Sequence, residues 1–68
     1  MIPQEFLNKI SVRQESNKEI VEILNKIVED YPEMRFCQIL TILSLDRDRF
    51  YEESCDTLKK IKECVKNL

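Results

Sequence analysis

Residues 16–31, SNKEIVEILNKIVEDY, carry the clearest structural pattern in the chain. Ile20, Leu24 and Ile27 recur at helical spacing, and with Tyr31 they fall within roughly 60° of one another on a helical wheel. An apolar stripe of this width on an otherwise charged segment is typical of a helix that packs one side against a core. The stretch therefore predicts an amphipathic helix and an all-α fold.

Local signals set the expected limits of this helix. Ser16 and Glu19 have the spacing of a capping box, which predicts that the helix begins there. Pro32 disfavours the helical conformation in the residue before it and predicts the end of the helix. Upstream, Pro3 and the apolar residues that follow it at helical spacing predict a separate short helix over about residues 3–14.

The next helix is expected from Pro32 to about Leu45 and includes the most apolar stretch, residues 34–45, MRFCQILTILSL. One side of it is apolar and is predicted to face the core; this side holds Phe36, Ile39, Leu40 and Leu43. The opposite side mixes polar with apolar residues, namely Arg35, Gln38, Thr41, Met34, Ile42 and Leu45. A helix that is apolar nearly all round is expected to be covered on both sides.

Two coverings are open for that second side. Either the amino-terminal helix and the segment Phe50-Tyr51 fold back over it, or another molecule does. Arg35 is expected to be an internal clamp that rests on Ile42 and binds a carboxylate, or else an interface residue. The candidate partner-binding residues are Arg35, Gln38, Ile42, Leu45, Arg49 and Tyr51.

The carboxyl-terminal part predicts one more helix after the charged connector at residues 46–49, and Phe50 and Tyr51, which follow the connector, are expected to fold back onto the core. Ser54 is its expected N-cap, with Asp56 in the first turn. Its apolar stripe consists of Leu58, Ile61, Val65 and Leu68. The whole prediction is one domain, residues 1–68, forming a small bundle of three main helices plus the short amino-terminal one, with antiparallel neighbours joined by short loops.

Composition excludes several classes of function. The 68 residues carry a net charge of −2 and contain neither histidine nor glycine. Histidine is the commonest acid–base group and metal ligand, and Gly-rich phosphate loops need glycine, so we expect no enzyme, no cofactor and no metal site. Cys37, Cys55 and Cys64 are expected to be reduced apolar fillers. No signal peptide or membrane span is apparent, which predicts a cytoplasmic protein.

Residues 31–40, YPEMRFCQIL, followed by residues 48–54, DRFYEES, resemble a group of small bacterial and phage or mobile-element proteins of unknown function. These proteins share a Pro-acid-Leu-Arg-Phe-Gly-Gln-Leu-Leu-like run and a later Asp-x-Phe-Tyr segment. Cys37 stands here in place of the glycine of that run. The resemblance implies no activity; it suggests that Arg35, Phe36, Gln38, Phe50 and Tyr51 form one unit.

These observations favour a non-enzymatic interaction or regulatory protein of a phage, a mobile element or its bacterial host, with an anti-defence role among those that fit. The partner is another protein or a second copy in a homodimer. The alternative is a nucleic-acid-associated transcriptional regulator that reads with its last helix; the acidic balance argues against it. A thiol-dependent redox protein is the third class.

Overall fold

A computed structural model describes residues 3–68, and the chain forms three helices within this range: α1 (Gln4–Asp30), α2 (Phe36–Ile42) and α3 (Ser54–Lys66). The described residues contain no strand. The all-α prediction is therefore confirmed. The bundle of three main helices with an additional short one is not, because α2 has only seven residues and the amino-terminal segment belongs to α1.

Helix α1 runs without a break through 27 residues, about 40 Å. The separate helix over residues 3–14 and the capping box at Ser16 are thus wrong. Ser16 is buried inside the helix instead of capping it. No proline or glycine interrupts residues 4–30, and a residue of moderate propensity such as serine costs only about 0.5 kcal/mol inside a helix. Pro3 is the N-cap, and its carbonyl accepts from the N–H groups of Phe6 and Leu7.

Pro32 ends α1 as predicted, since Tyr31 leaves the helical region at φ −127° and ψ 67°. It does not start the next helix. Residues 31–34 form a turn in which Met34 N–H donates to the Tyr31 carbonyl, and Arg35 is the extended N-cap of α2. The Gln38 side-chain oxygen accepts from the Arg35 N–H at 2.8 Å, which satisfies the start of this short helix.

Helix α2 ends at Ile42, three residues earlier than expected, in a Schellman motif. Leu45 N–H donates to the Leu40 carbonyl at 2.8 Å, and Ser44 N–H donates to the Thr41 carbonyl at 3.0 Å. The motif needs a left-handed residue, and Ser44 occupies it at φ 59°. In a chain without glycine a serine therefore carries the positive φ that normally selects glycine.

The core joins all three helices through Ile27, Ile39, Leu43 and Ile61. Ile39 and Leu43 come from the predicted core side of α2, whereas Phe36 on that same side is 57% exposed. In α3 only the first half of the predicted apolar stripe is buried. Leu58 and Ile61 are buried, and Val65 and Leu68 near the end of the helix are exposed.

Helices α1 and α3 run parallel, not antiparallel. Arg13 pairs with Glu53, and six residues further along α1, Glu19 pairs with Lys62, so both helices advance in the same direction. Residues 31–53 return the chain to the start of α3. Because α3 begins beside Arg13, the start of α1 extends beyond α3, and the molecule is elongated, 49 × 22 × 19 Å.

Candidate functional site: a braced loop and two exposed surfaces

The loop between α2 and α3 is held in shape by Arg49. Its Nε donates to the Ser44 carbonyl oxygen at 2.9 Å, and its Nη1 pairs with Glu52 Oε2 at 3.0 Å. The guanidinium is mostly covered, since only 21% of the side chain is exposed. The fork of donors spans the loop and fixes both of its ends. Arg49 was predicted to bind a partner, but the structure makes it an internal brace.

Glu52 is the acceptor on which this bracing converges. Its Oε1 accepts from the Thr57 hydroxyl at 2.6 Å, and Lys60 reaches Oε2 on the same carboxylate as Arg49. The pKa of Glu52 is lowered to about 2, chiefly by the hydrogen bonds from Lys60 and Thr57. Burial opposes this shift, and the charge of Arg49 acts in the same direction as the hydrogen bonds. The carboxylate therefore stays ionised and connects the loop to the first two turns of α3.

Glu53 attaches the same loop to α1. Arg13 binds it in bidentate fashion, Nε to Oε1 at 2.8 Å and Nη2 to Oε2 at 3.1 Å. The hydrogen bond from Arg13 lowers the pKa of Glu53, and Glu53 in turn raises the pKa of Arg13. Glu53 is also the N-cap of α3, one residue before the predicted cap Ser54. Glu52 and Glu53 are thus both used to support the loop.

The tip of the braced loop is aromatic and faces solvent. Phe50 is 84% exposed and Tyr51 is 96% exposed. Their rings lie edge to face with centroids 5.0 Å apart. We predicted that this pair folds back onto the core, and that is wrong, because Arg49 and Glu52 on either side occupy the inward positions. We call Phe50 and Tyr51 the aromatic tip.

A second exposed surface lies on the outer side of α2. It is a shallow depression lined by Glu33, Met34, Gln38, Thr41 and Ile42. The aromatic tip does not cover it, so of the two coverings considered for this side the intramolecular one through Phe50 and Tyr51 is absent. Arg35 is exposed beside it and belongs to none of the ion pairs within residues 3–68. The clamp predicted for Arg35 is therefore wrong, and it is Arg49 that binds a carboxylate, Glu52, within the fold.

The six predicted partner-binding residues therefore separate into three groups. Gln38 and Ile42 share the α2 depression, and Arg35 is exposed at its edge. Leu45 packs against the core and Arg49 braces the loop. Tyr51 alone belongs to the aromatic tip. Phe50 completes the aromatic tip but was not among the predicted partner-binding residues. Its position next to Tyr51 in a short charged loop is the sequence feature that could have identified it.

The structure also gives the positions of the cysteine thiols and of the lysines of α3. Cys37 is exposed and Cys55 and Cys64 are half-buried, all as free thiols. Among residues 3–68 no three Cys, Asp or Glu side chains group closely enough to hold a metal ion. On α3, the side chains of Lys60, Lys62 and Lys66 each pair with a glutamate.

None of the helices in the described range is both long and apolar enough to cross a membrane. Comparisons of the chain with protein-family models, with curated proteins and with solved structures gave no significant match.

Proposed function

We propose that this chain is a non-enzymatic protein that acts by binding other protein surfaces. The observation that carries the proposal is the aromatic tip. Two large aromatic side chains are almost fully exposed, on a loop that ion pairs and hydrogen bonds hold in one conformation. Exposure of this kind leaves apolar area in water without any gain for the folded chain.

Aromatic residues are the usual anchors of protein interfaces. An anchor binds more tightly when it is presented rigidly, because less conformational entropy is lost on association. The braces at Arg49 and Glu52 supply that rigidity for Phe50 and Tyr51. The occupant expected from this chemistry is a protein surface with an apolar pocket that accepts an aromatic pair.

The resemblance of residues 31–54 supports a setting in a phage, a mobile element or its bacterial host, with a regulatory or anti-defence role. A regulator that reads nucleic acid with α3 receives less support. Lys60, Lys62 and Lys66 are each occupied by a carboxylate, so binding a phosphate backbone requires breaking pairs that already exist.

The test is quantitative affinity purification with the tagged full chain from a lysate of the organism that encodes it. The wild type is compared with the double variant Phe50→Ser and Tyr51→Ser. We expect a partner retained in stoichiometric amount by the wild type and reduced at least about tenfold by the variant. The folded state is checked by circular dichroism, which should be unchanged because neither ring is buried.

The matched control is Val65→Ser, which removes an exposed apolar residue elsewhere on the surface. It should retain the partner. Identical sets of co-purifying proteins from the wild type and the aromatic-tip variant would contradict the proposal. Titration with duplex DNA at low and high salt tests the alternative, and salt-dependent binding would favour the nucleic-acid reader.

A further inference from the structure

One side of α1 carries a stripe, apolar at five of its seven positions, that borders the side packed against α3. Its members recur at alternating three- and four-residue spacing, which is the a/d pattern of a coiled coil. We call this set the α1 seam; it consists of Leu7, Ile10, Gln14, Asn17, Val21, Leu24 and Val28. The pattern spans most of α1 and is visible only when residues 4–30 are one helix.

The packing within the chain leaves most of this seam uncovered, although Leu24 at its edge also packs against the core. At 100° per residue, the centre of the seam lies roughly 120° around α1 from the positions of Ser16 and Ile27, which are buried, and Leu24 is the seam residue nearest to them. Val21 is 63% exposed, and Val28 and Leu7 are also exposed. Helix α3 contacts a different side, where Glu19 meets Lys62.

The total exposed area is consistent with a missing partner. The chain exposes 5640 Å², whereas a folded monomer of 8.2 kDa is expected to expose about 4,500 Å². The excess, about 1,100 Å², is of the size that a specific interface removes from each partner, about 800 Å². The start of α1, which extends beyond α3, accounts for part of this excess.

We propose that the α1 seam pairs antiparallel with the α1 seam of a second copy of this chain. The inference rests on the proposed function and names the partner of one surface. In the register that matches the layers, Leu7 faces Leu24 of the second copy and Ile10 faces its Val21. Gln14 faces Asn17 of the second copy, so two amide pairs lie at the centre with apolar layers on both sides.

The polar layers argue for a second copy as the occupant. A buried amide is costly unless it is hydrogen-bonded, and an apolar partner helix leaves Gln14 and Asn17 unpaired. A second copy supplies the matching amides by two-fold symmetry. A polar layer within an otherwise apolar seam also selects register and number of chains.

Charge selects the direction of the second helix. In a parallel pair the flanking positions place Arg13 beside Lys18 of the second copy, which juxtaposes like charges twice. In the antiparallel register Lys18 lies beside Ser11 of the second copy, and no like pair forms. The antiparallel arrangement also lays the bare start of each α1 along the three-helix part of the other chain.

Sedimentation velocity of the full chain between about 1 and 200 μM is the primary test. We expect a dimer for the wild type and a dissociation constant raised at least about 100-fold by Val21→Glu, since two apolar layers then receive a carboxylate. The control Lys26→Gln makes the same change in net charge off the seam and should remain dimeric. A monomeric wild type, or a dimer unaffected by Val21→Glu, would overturn the proposal.

Disulfide mapping tests the direction independently of stability. Two variants, Ile10→Cys and Val21→Cys, are each made with Cys37→Ser, mixed and exposed to oxidised glutathione. Antiparallel pairing predicts a disulfide between positions 10 and 21 of different chains, located by peptide mass spectrometry. A disulfide between two copies of position 21 would indicate a parallel pair and overturn the register. Neither variant touches the aromatic tip, so loss of dimerisation and loss of partner capture remain separate results.

Discussion

Arg49 donates from Nε to the carbonyl oxygen of Ser44, 2.9 Å away, and Ser44 is the residue with positive φ at the end of α2. The contact joins a strained helix end to the loop that presents the aromatic tip. A charged donor bound to a carbonyl on one side and to Glu52 on the other stabilises both elements together.

Replacing Arg49 should therefore destabilise the fold. We expect Arg49→Ala to lower the free energy of unfolding by about 1–2 kcal/mol, because one hydrogen bond and one partly covered ion pair are lost. Arg49→Lys should recover only part of this, since an ammonium cannot bridge two acceptors as a guanidinium does. Urea denaturation followed by circular dichroism gives the values.

The neighbouring exposed residue Arg47 provides the control for that series. Arg47→Ala should stay within about 0.5 kcal/mol of the wild type. Equal effects at positions 47 and 49 would show that net charge, and not the bridge from Ser44 to Glu52, determines stability.

The positive φ of Ser44 predicts a difference between two small replacements. Glycine adopts this conformation without steric cost, whereas a residue with a Cβ atom pays roughly 1 kcal/mol. Both Ser44→Gly and Ser44→Ala remove the 3.8 Å contact between the serine hydroxyl and Cys64 Sγ. We expect the glycine variant to be more stable than the alanine variant by about 1 kcal/mol in urea denaturation. Equal stabilities would argue against a left-handed residue here.

Periodic and boundary signals predicted a large part of this fold. The stripe in residues 16–31, the stop at Pro32 and the buried pair Leu58 and Ile61 all follow from local pattern, and the structure contains them. The spacing of apolar residues predicts these features because burial of a helical stripe depends on spacing along the chain. The parallel placement of α1 and α3 depends on contacts between distant residues, which no local pattern contains.

The candidate site was predicted less well, for a related reason. Arg35 and Arg49 are both arginines next to apolar segments, and only the course of the loop decides which one turns inward. The same course exposes Phe50 and Tyr51 against their general tendency to be buried. The sequence predicted a helix start at Ser16, and this break hid the α1 seam, because the heptads of the seam continue across that position.

Replacing Ser16 by alanine distinguishes a helix that starts at Ser16 from a helix that continues through it, because the two predict opposite changes in stability. At an N-cap, replacing serine by alanine costs about 1 kcal/mol. Inside a continuous helix alanine is favoured over serine by about 0.5 kcal/mol. We expect Ser16→Ala to leave the free energy of unfolding unchanged or to raise it by up to about 0.5 kcal/mol. A loss near 1 kcal/mol would indicate a helix that starts at Ser16.

Acid should weaken the fold through Glu52. Its pKa is lowered in the folded chain to about 2 from an ordinary value of 4.5, so the unfolded chain binds the proton more readily than the folded one. The stabilisation is complete above pH 4.5 and is lost as the pH falls from there through about 2. Glu53, whose pKa is also lowered, acts in the same direction.

The midpoint of thermal unfolding, followed by circular dichroism from pH 6 to pH 2, measures this loss. Glu52→Gln removes the titrating group, so its midpoint should be lower than that of the wild type at pH 6 and should fall less steeply below pH 4.5. Glu33→Gln replaces an exposed glutamate in the turn before α2 and should keep the wild-type slope. If Glu52→Gln and the wild type lost stability in parallel below pH 4.5, the contacts of Glu52 with Arg49, Thr57 and Lys60 would not be what stabilises the loop.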